Sequence, residues 1–268
     1  MNETPEEFRQ RVERVDSHFF EEYERPDIAP PRDERGYSLY EIEDIATAVR
    51  RHWGLGDGPI VNVIALFETH GIIVTRFELG SDEIDAFSCW IRQRPYILLG
   101  SDKKSCSRSR FDAAHELGHL LLHRHVGQED LKEKSIRDHI EAEANMFAGA
   151  FLLPRNTMLR EFYSLRLKHL EGMKERWRVS MQAIAHRAKQ IGIIDDSQYI
   201  LFRKQISYHR WNKNEPKCWR LLTDKHLVRE AGVEDEIGFS LDLVARLFGY
   251  ERFAVTLPAS TPGVTKLN

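Results

Sequence analysis

The stretch Phe111-Asp-Ala-Ala-His-Glu-Leu-Gly-His-Leu-Leu-Leu-His123 sets His115, Glu116 and His119 within five positions of an unbroken helical pattern. Residues four apart on an α-helix stand ~40° apart around the axis and ~6 Å along it. His115 and His119 can therefore aim their imidazoles at one ion, in the manner of a zinc site. Glu116 leans from the same turn toward the space beside that ion. There its carboxylate can take a proton from water and hand it to a leaving amine. The alternative is a surface helix with two incidental histidines. The neighbours Ala114, Leu117, Leu120 and Leu121 argue against it, because they bury the helix and buried imidazoles need partners. The pattern is that of an HExxH zinc hydrolase.

Such a site needs a third protein ligand and an open fourth position. His125 occupies the place of the third histidine in a longer motif, but Leu122 stands where that motif needs glycine. On a continuing helix His125 points ~240° away from His119. His123 lies ~12 Å along the axis from His115, too far to share the ion; it reads as a surface histidine or an outer partner of the centre. Glu141 and Glu143 remain, both at edges of the next apolar stripe, Ile140, Ala144, Phe147, Ala148 and Phe151. Glu141 flanks the small Ala144 and Ala148, where two helices can approach, and Asn145 one turn on can steady a ligand histidine. Glu143 leans toward bulky Phe147. Periodicity leaves both open, with a modest preference for Glu141.

Outward from the motif, Ser38 and Glu41 form a capping box that opens a helix with Ile42, Ile45, Ala46, Val49 and Trp53 inward. A second helix runs from Val61 to His70. Three strand-like runs follow at 72–77, 86–92 and 96–99, the second holding Cys89 as a core residue. The motif helix spans 108 to about 124, another spans 135–152, and the pattern from 157 to 211 is helical with a fresh start at Ser180. At the N-terminus, Phe8, Val12, Val15, Phe19 and Tyr23 make one stripe of an amphipathic helix, broken by Pro26, Pro30 and Pro31. The tail from Lys217 carries mixed signals.

In 268 residues, 41% are hydrophobic and 30% charged, a composition suited to a folded soluble chain rather than a disordered or membrane-embedded one. A formal charge of −3 provides no global attraction to nucleic acid or acidic lipid. No apolar run approaches the ~20 residues that span a bilayer. The acidic N-terminus is unlike a secretory signal. Three cysteines, Cys89, Cys106 and Cys218, form no close-spaced motif, which fits a reducing cytoplasm.

Arg110-Phe-Asp-Ala-Ala-His-Glu-Leu-Gly-His-Leu-Leu-Leu-His123 and Glu141-Ala-Glu-Ala-Asn-Met-Phe-Ala-Gly-Ala-Phe-Leu-Leu-Pro154 together resemble the ImmA/IrrE family of bacterial metallopeptidases. Shorter likenesses lie at Gly58-Pro-Ile-Val-Asn62, Ile84-Asp-Ala-Phe-Ser88, Trp177-Arg-Val-Ser180 and Asn214-Glu-Pro216, so the resemblance covers roughly 40–216. It implies that the third ligand is Glu141, four residues before Asn145, with one Zn2+ per chain and Glu116 as the catalytic carboxylate. It also implies a cytoplasmic endopeptidase that cleaves a helix-turn-helix repressor, in DNA-damage or phage-defence signalling. The expected fold class is α+β: a zincin-like metallopeptidase domain of helices and a small sheet over 37–178. Residues 1–36 form a helical arm and Pro-rich linker, too short and charged for the helix-turn-helix domain that precedes the peptidase in one common arrangement. Residues 179–268 form a mixed, partly helical region with a candidate sensor role.

Two further features stand beside the motif. Cys106, in Lys103-Lys-Ser-Cys-Ser-Arg-Ser-Arg110, sits among cations at a helix start, which favours thiolate, and a thiolate can take the fourth zinc position as an inhibitory lock. The plain alternative is an unremarkable loop thiol. Residues 199–220 interleave aromatics with cations, including Arg203, Lys204, Arg210 and Trp211, a composition that suits single-stranded DNA as an activator. The plain alternative is an amphipathic helix with a solvated basic face. The competing function is a zinc-stabilised module that sequesters a repressor without cutting it, against which an intact Glu116 speaks.

Overall fold

Ser38 and Glu41 close the expected reciprocal cap: the Ser38 N–H donates to Glu41 Oε2 at 2.8 Å and the Glu41 N–H to Ser38 Oγ at 3.3 Å. That cap opens α1 (Leu39–His52), which buries Ile42, Ile45, Ala46 and Val49 and ends where Gly54 turns with φ +66°. In the computed structural model, residues 36–77, 86–91, 94–100, 106–124, 126–127, 130–212 and 215–216 are described. The expected N-terminal arm and linker, His125 and the tail from 217 with Cys218 lie outside them.

Asn62 caps α2 (Val63–Thr69) through its side-chain oxygen, so this helix starts two residues later than the apolar pattern alone suggests. The loop between α1 and α2 is held by arginines. Arg50 donates to the carbonyls of Gly56, Gly58 and Phe151, while Arg110 and Arg178 both donate to that of Val61. Charged donors thus satisfy loop carbonyls and, at Phe151, a carbonyl in the last turn of a helix.

The three expected strands are β1 (Ile73–Phe77), β2 (Ala86–Ile91) and β3 (Arg94–Gly100), in the order β1-β3-β2. β1 runs parallel to β3 with Thr75 opposite Leu98; β2 runs antiparallel with Ser88 opposite Ile97. The run 96–99 therefore belongs to the central strand and is paired on both sides. Its apolar content follows from that position, since a strand covered on both faces loses the alternation of a half-exposed one.

The motif helix α3 (Cys106–Leu122) packs on β2 and β3 and lies along α4 (Lys134–Leu152), which follows a 3₁₀ turn at Asp130–Lys132. α1 covers another side of α4. The helical stretch from 157 to 211 resolves into α5 (Arg155–Glu161), α6 (Leu167–Trp177), α7 (Met181–Gln190) and α8 (Asp196–Tyr208). Arg178 in the left-handed region ends α6, and the Ser180 hydroxyl caps α7.

One apolar core runs from Tyr37 to Ile206 and includes Trp177, Val179, Met181, Ile184, Ala185, Ala188 and Phe202. It includes residues on both sides of the 178/179 position. Arg187, on α7, is fully buried and joins Glu43 on α1: Nη2 donates to Oε2 at 2.7 Å and Nη1 stands 2.6 Å from Oε1. Buried Lys174 meets Glu215 at 2.8 Å, and the same carboxylate accepts from the N–H groups of Met181 and Gln182. The chain after α8 is thereby fastened to the N-terminus of α7. The fold is α+β, helix-rich with a small mixed sheet, as expected.

Candidate active site

α3 and α4 approach closely at Gly118. A Cβ placed there would stand 3.2 Å from the Ala144 Cα and 3.3 Å from its carbonyl oxygen. Only a residue without a side chain lets the two backbones meet this way. The contact brings the imidazoles of one helix over a carboxylate of the other. His115 Nε2 stands 2.9 Å from His119 Nε2, while Glu141 reaches His115 Nε2 at 3.1 Å and His119 Nε2 at 3.5 Å. Among the described residues these three form the one group of histidine, cysteine and carboxylate side chains with donor atoms mutually close enough to share a metal.

The arrangement suits a cation. Donors ~2.0–2.1 Å from a tetrahedral zinc ion stand about 3.3 Å apart, and the three separations bracket that value. Asn145 Oδ1, 3.1 Å from His115 Nδ1, can only accept, so Nδ1 carries the proton and Nε2 presents a lone pair to the centre. His119 turns its Nδ1 outward, to His123 Nδ1 at 2.9 Å, and its Nε2 inward. Two imidazole nitrogens facing one another beside a carboxylate are reconciled by a shared positive ion.

Electrostatics follow from burial and from these neighbours. Burial lowers His119 to about 4, against the opposing pull of Glu141; a neutral imidazole is the form that binds metal. Burial also disfavours charge on His115, but Glu141, Glu116 and Asn145 outweigh it and raise the ring. Burial opposes ionisation of Glu141, yet its bonds to both histidines hold its carboxyl well below the usual range. Glu116 is buried, which pushes it up to about 7 against the pull of His115. Its main-chain carbonyl accepts from Ser88 Oγ at 3.2 Å, and the Leu120 carbonyl accepts from the Trp90 indole at 3.2 Å. Both donors come from β2, so this strand, outermost in the order β1-β3-β2 among the described residues, lies against the motif helix.

Glu143 is turned away from the His115–His119 centre. It is fully buried, 2.8 Å from His123 Nε2 and 3.2 Å from His139 Nε2, and it accepts from the Tyr37 main-chain N–H. His123 is correspondingly buried rather than at the surface, between His119 and Glu143. Sequence reasoning missed this pairing and the Gly118 approach. The available signal was a histidine every fourth residue at 115, 119 and 123, with a second glutamate two places after Glu141.

The remaining residues lie elsewhere. Cys106 is the first residue of α3, nine positions before His115. Cys89 is buried in β2 opposite Tyr96, and burial raises its thiol. Arg203 and Lys204 are exposed on α8, whereas Phe202 is buried, and Trp211 packs partly against the core and stacks on His209 at 4.6 Å. Arg210 is exposed, with φ +57°. Among the described aromatics of this stretch Phe202 is buried, Tyr199 and Trp211 are partly buried, and Tyr208 is 85% exposed. Tyr163 is 80% exposed and lies against the His169 ring at a tilt, with centroids 3.8 Å apart, in a groove of about 860 Å³ whose lining includes none of His115, His119 or Glu141.

Residues 67–189 match the family model Peptidase_M78, described as the IrrE N-terminal-like domain. No curated protein matches the chain. Among solved structures, a Mycobacterium tuberculosis transcriptional regulator is similar at 18% identity with a TM-score of 0.40, over 70% of this chain and 52% of that one. The chain thus spans about half the length of that protein.

Proposed function

We propose that the chain, whose residues 67–189 match the Peptidase_M78 family model described as the IrrE N-terminal-like domain, is a zinc-dependent endopeptidase cutting a helix-turn-helix repressor. The reading is carried by the convergence of His115, His119 and Glu141 beside the buried Glu116. Those three residues would hold the ion. Zinc bound there supplies Lewis acidity toward a peptide carbonyl and water.

This chain's own residues do the rest. Glu116 accepts the proton of the attacking water as its oxygen bonds the carbonyl carbon, then delivers that proton to the nitrogen as the C–N bond breaks. A carboxyl raised by burial can both take and return a proton. β2, which lies against the motif helix, is the strand proposed to receive an extended substrate. Main-chain hydrogen bonds would grip it there, and flanking side chains would select its sequence. The repressor as substrate class, and its setting in DNA-damage or phage-defence signalling, come from the family resemblance of the two motif blocks.

The test uses the full chain with zinc and a candidate helix-turn-helix repressor. Wild type is expected to cut the repressor at a discrete site. Glu116→Gln, which keeps the ligands but removes the base, is expected to bind it and leave it whole. Equal cleavage by the variant would remove Glu116 from the chemistry. Binding without cleavage by the wild type would favour the sequestering module instead.

A further inference from the structure

We propose that Glu143, acting through His123, fixes the tautomer and ring orientation of His119 and so sets the protein's affinity for its metal. The proposal rests on the zinc reading of the His115–His119–Glu141 centre.

A carboxylate buried to this degree must be met by donors. Glu143 has the Tyr37 main-chain N–H and His139 on one oxygen and His123 Nε2, at 2.8 Å, on the other. An ionised carboxylate only accepts, so His123 carries its proton on Nε2. A neutral imidazole protonated there has a lone pair on Nδ1. That atom faces His119 Nδ1 at 2.9 Å, and two lone pairs cannot share this distance, so His119 carries its proton on Nδ1. The consequence lands at the centre: His119 Nε2 is left bare, 2.9 Å from His115 Nε2 and 3.5 Å from Glu141. Without Glu143, the opposite His123 tautomer becomes available. It would donate from Nδ1 to His119 and drive the His119 proton onto Nε2, into the ion's place.

The geometry keeps this chain rigid. His123 is one helical turn from His119, so the pair is set by α3 itself. Glu143 belongs to α4, two residues from Glu141, so the helix that presents the carboxylate ligand also orients the histidine ligand. Gly36, with φ +75°, lies against Glu143 and His139 so closely that a Cβ there would overlap both. Glu143 and His123 are positioning residues; neither touches substrate.

The experiment measures zinc affinity of the metal-free full chain by competition with a chromophoric chelator, for wild type, Glu143→Gln and His123→Phe. Nitrogen NMR of wild type reads the His119 tautomer directly. The glutamine can donate as well as accept and so no longer dictates the His123 tautomer; the phenylalanine keeps the volume and removes the link. Both are expected to weaken zinc binding ten- to a hundred-fold with circular dichroism unchanged, and wild-type His119 is expected to be protonated on Nδ1. Variants binding within threefold of wild type, or a wild-type His119 protonated on Nε2, would overturn the relay alone. A wild type that takes up no zinc would overturn the metal reading and the relay with it. Should either variant fail to fold, the wild-type tautomer still decides.

Discussion

Removing Glu43 should cost this protein more stability than any exposed substitution, because it strands a charge. Arg187 is 1% exposed, and its guanidinium is held by the Leu153 carbonyl at 3.1 Å, Gln190 at 2.8 Å and both oxygens of Glu43. In Glu43→Ala the two uncharged acceptors remain while the balancing charge is gone. Breaking a buried pair from one side costs about 3–5 kcal/mol. At ~2–4 °C per kcal/mol for a folded region of this size, the melting midpoint should fall by roughly 6–20 °C. The pair links α1 to α7 and to the end of α4, so the loss should appear as one cooperative shift. Urea denaturation of wild type, Glu43→Ala, Arg187→Met and the double variant Glu43→Leu/Arg187→Met measures it. The double variant should regain much of what each single change loses, since an apolar pair of similar volume carries no stranded charge. A loss below about 1 kcal/mol in Glu43→Ala, or a double variant whose loss equals the sum of the singles, would refute the coupling.

Three further outcomes are expected. Gly118→Val should press its side chain on the Ala144 backbone and part α3 from α4, costing about 1–3 kcal/mol and weakening zinc binding; unchanged zinc affinity would mean that this contact does not set the centre. Zinc at a hundredfold excess over its dissociation constant should stabilise the native state by ~2.7 kcal/mol, visible as a raised melting midpoint that a chelator reverses, and lost in His119→Ala. Glu215→Ala should strand Lys174 and uncap the N–H groups of Met181 and Gln182, destabilising by about 3–5 kcal/mol; a melting curve unmoved by the change would dissociate the 215–216 segment from α7 in solution.

Local chemistry made some features legible before any coordinates. The Ser38–Glu41 cap, the motif helix with His115 and His119 one turn apart, and the three strand runs each depend on residues within a few positions of one another, where periodicity and capping operate. The two motif blocks likewise pointed to the family, since a spaced set of histidines and carboxylates is written in one dimension.

What depends on distant residues was not legible. Glu141 and Glu143 flank the same stripe of α4, and which of them faces the two imidazoles was decided by how α4 lies on α3, down to the missing side chain at Gly118. The central place of β3 is a matter of strand order, which its own residues do not state. Arg187 and Lys174 are buried because Glu43 and Glu215, 144 and 41 residues away, arrive to neutralise them. Backbone periodicity is a property of neighbours along the chain. Partner choice among buried polar groups is a property of packing, and only the tertiary structure closes it.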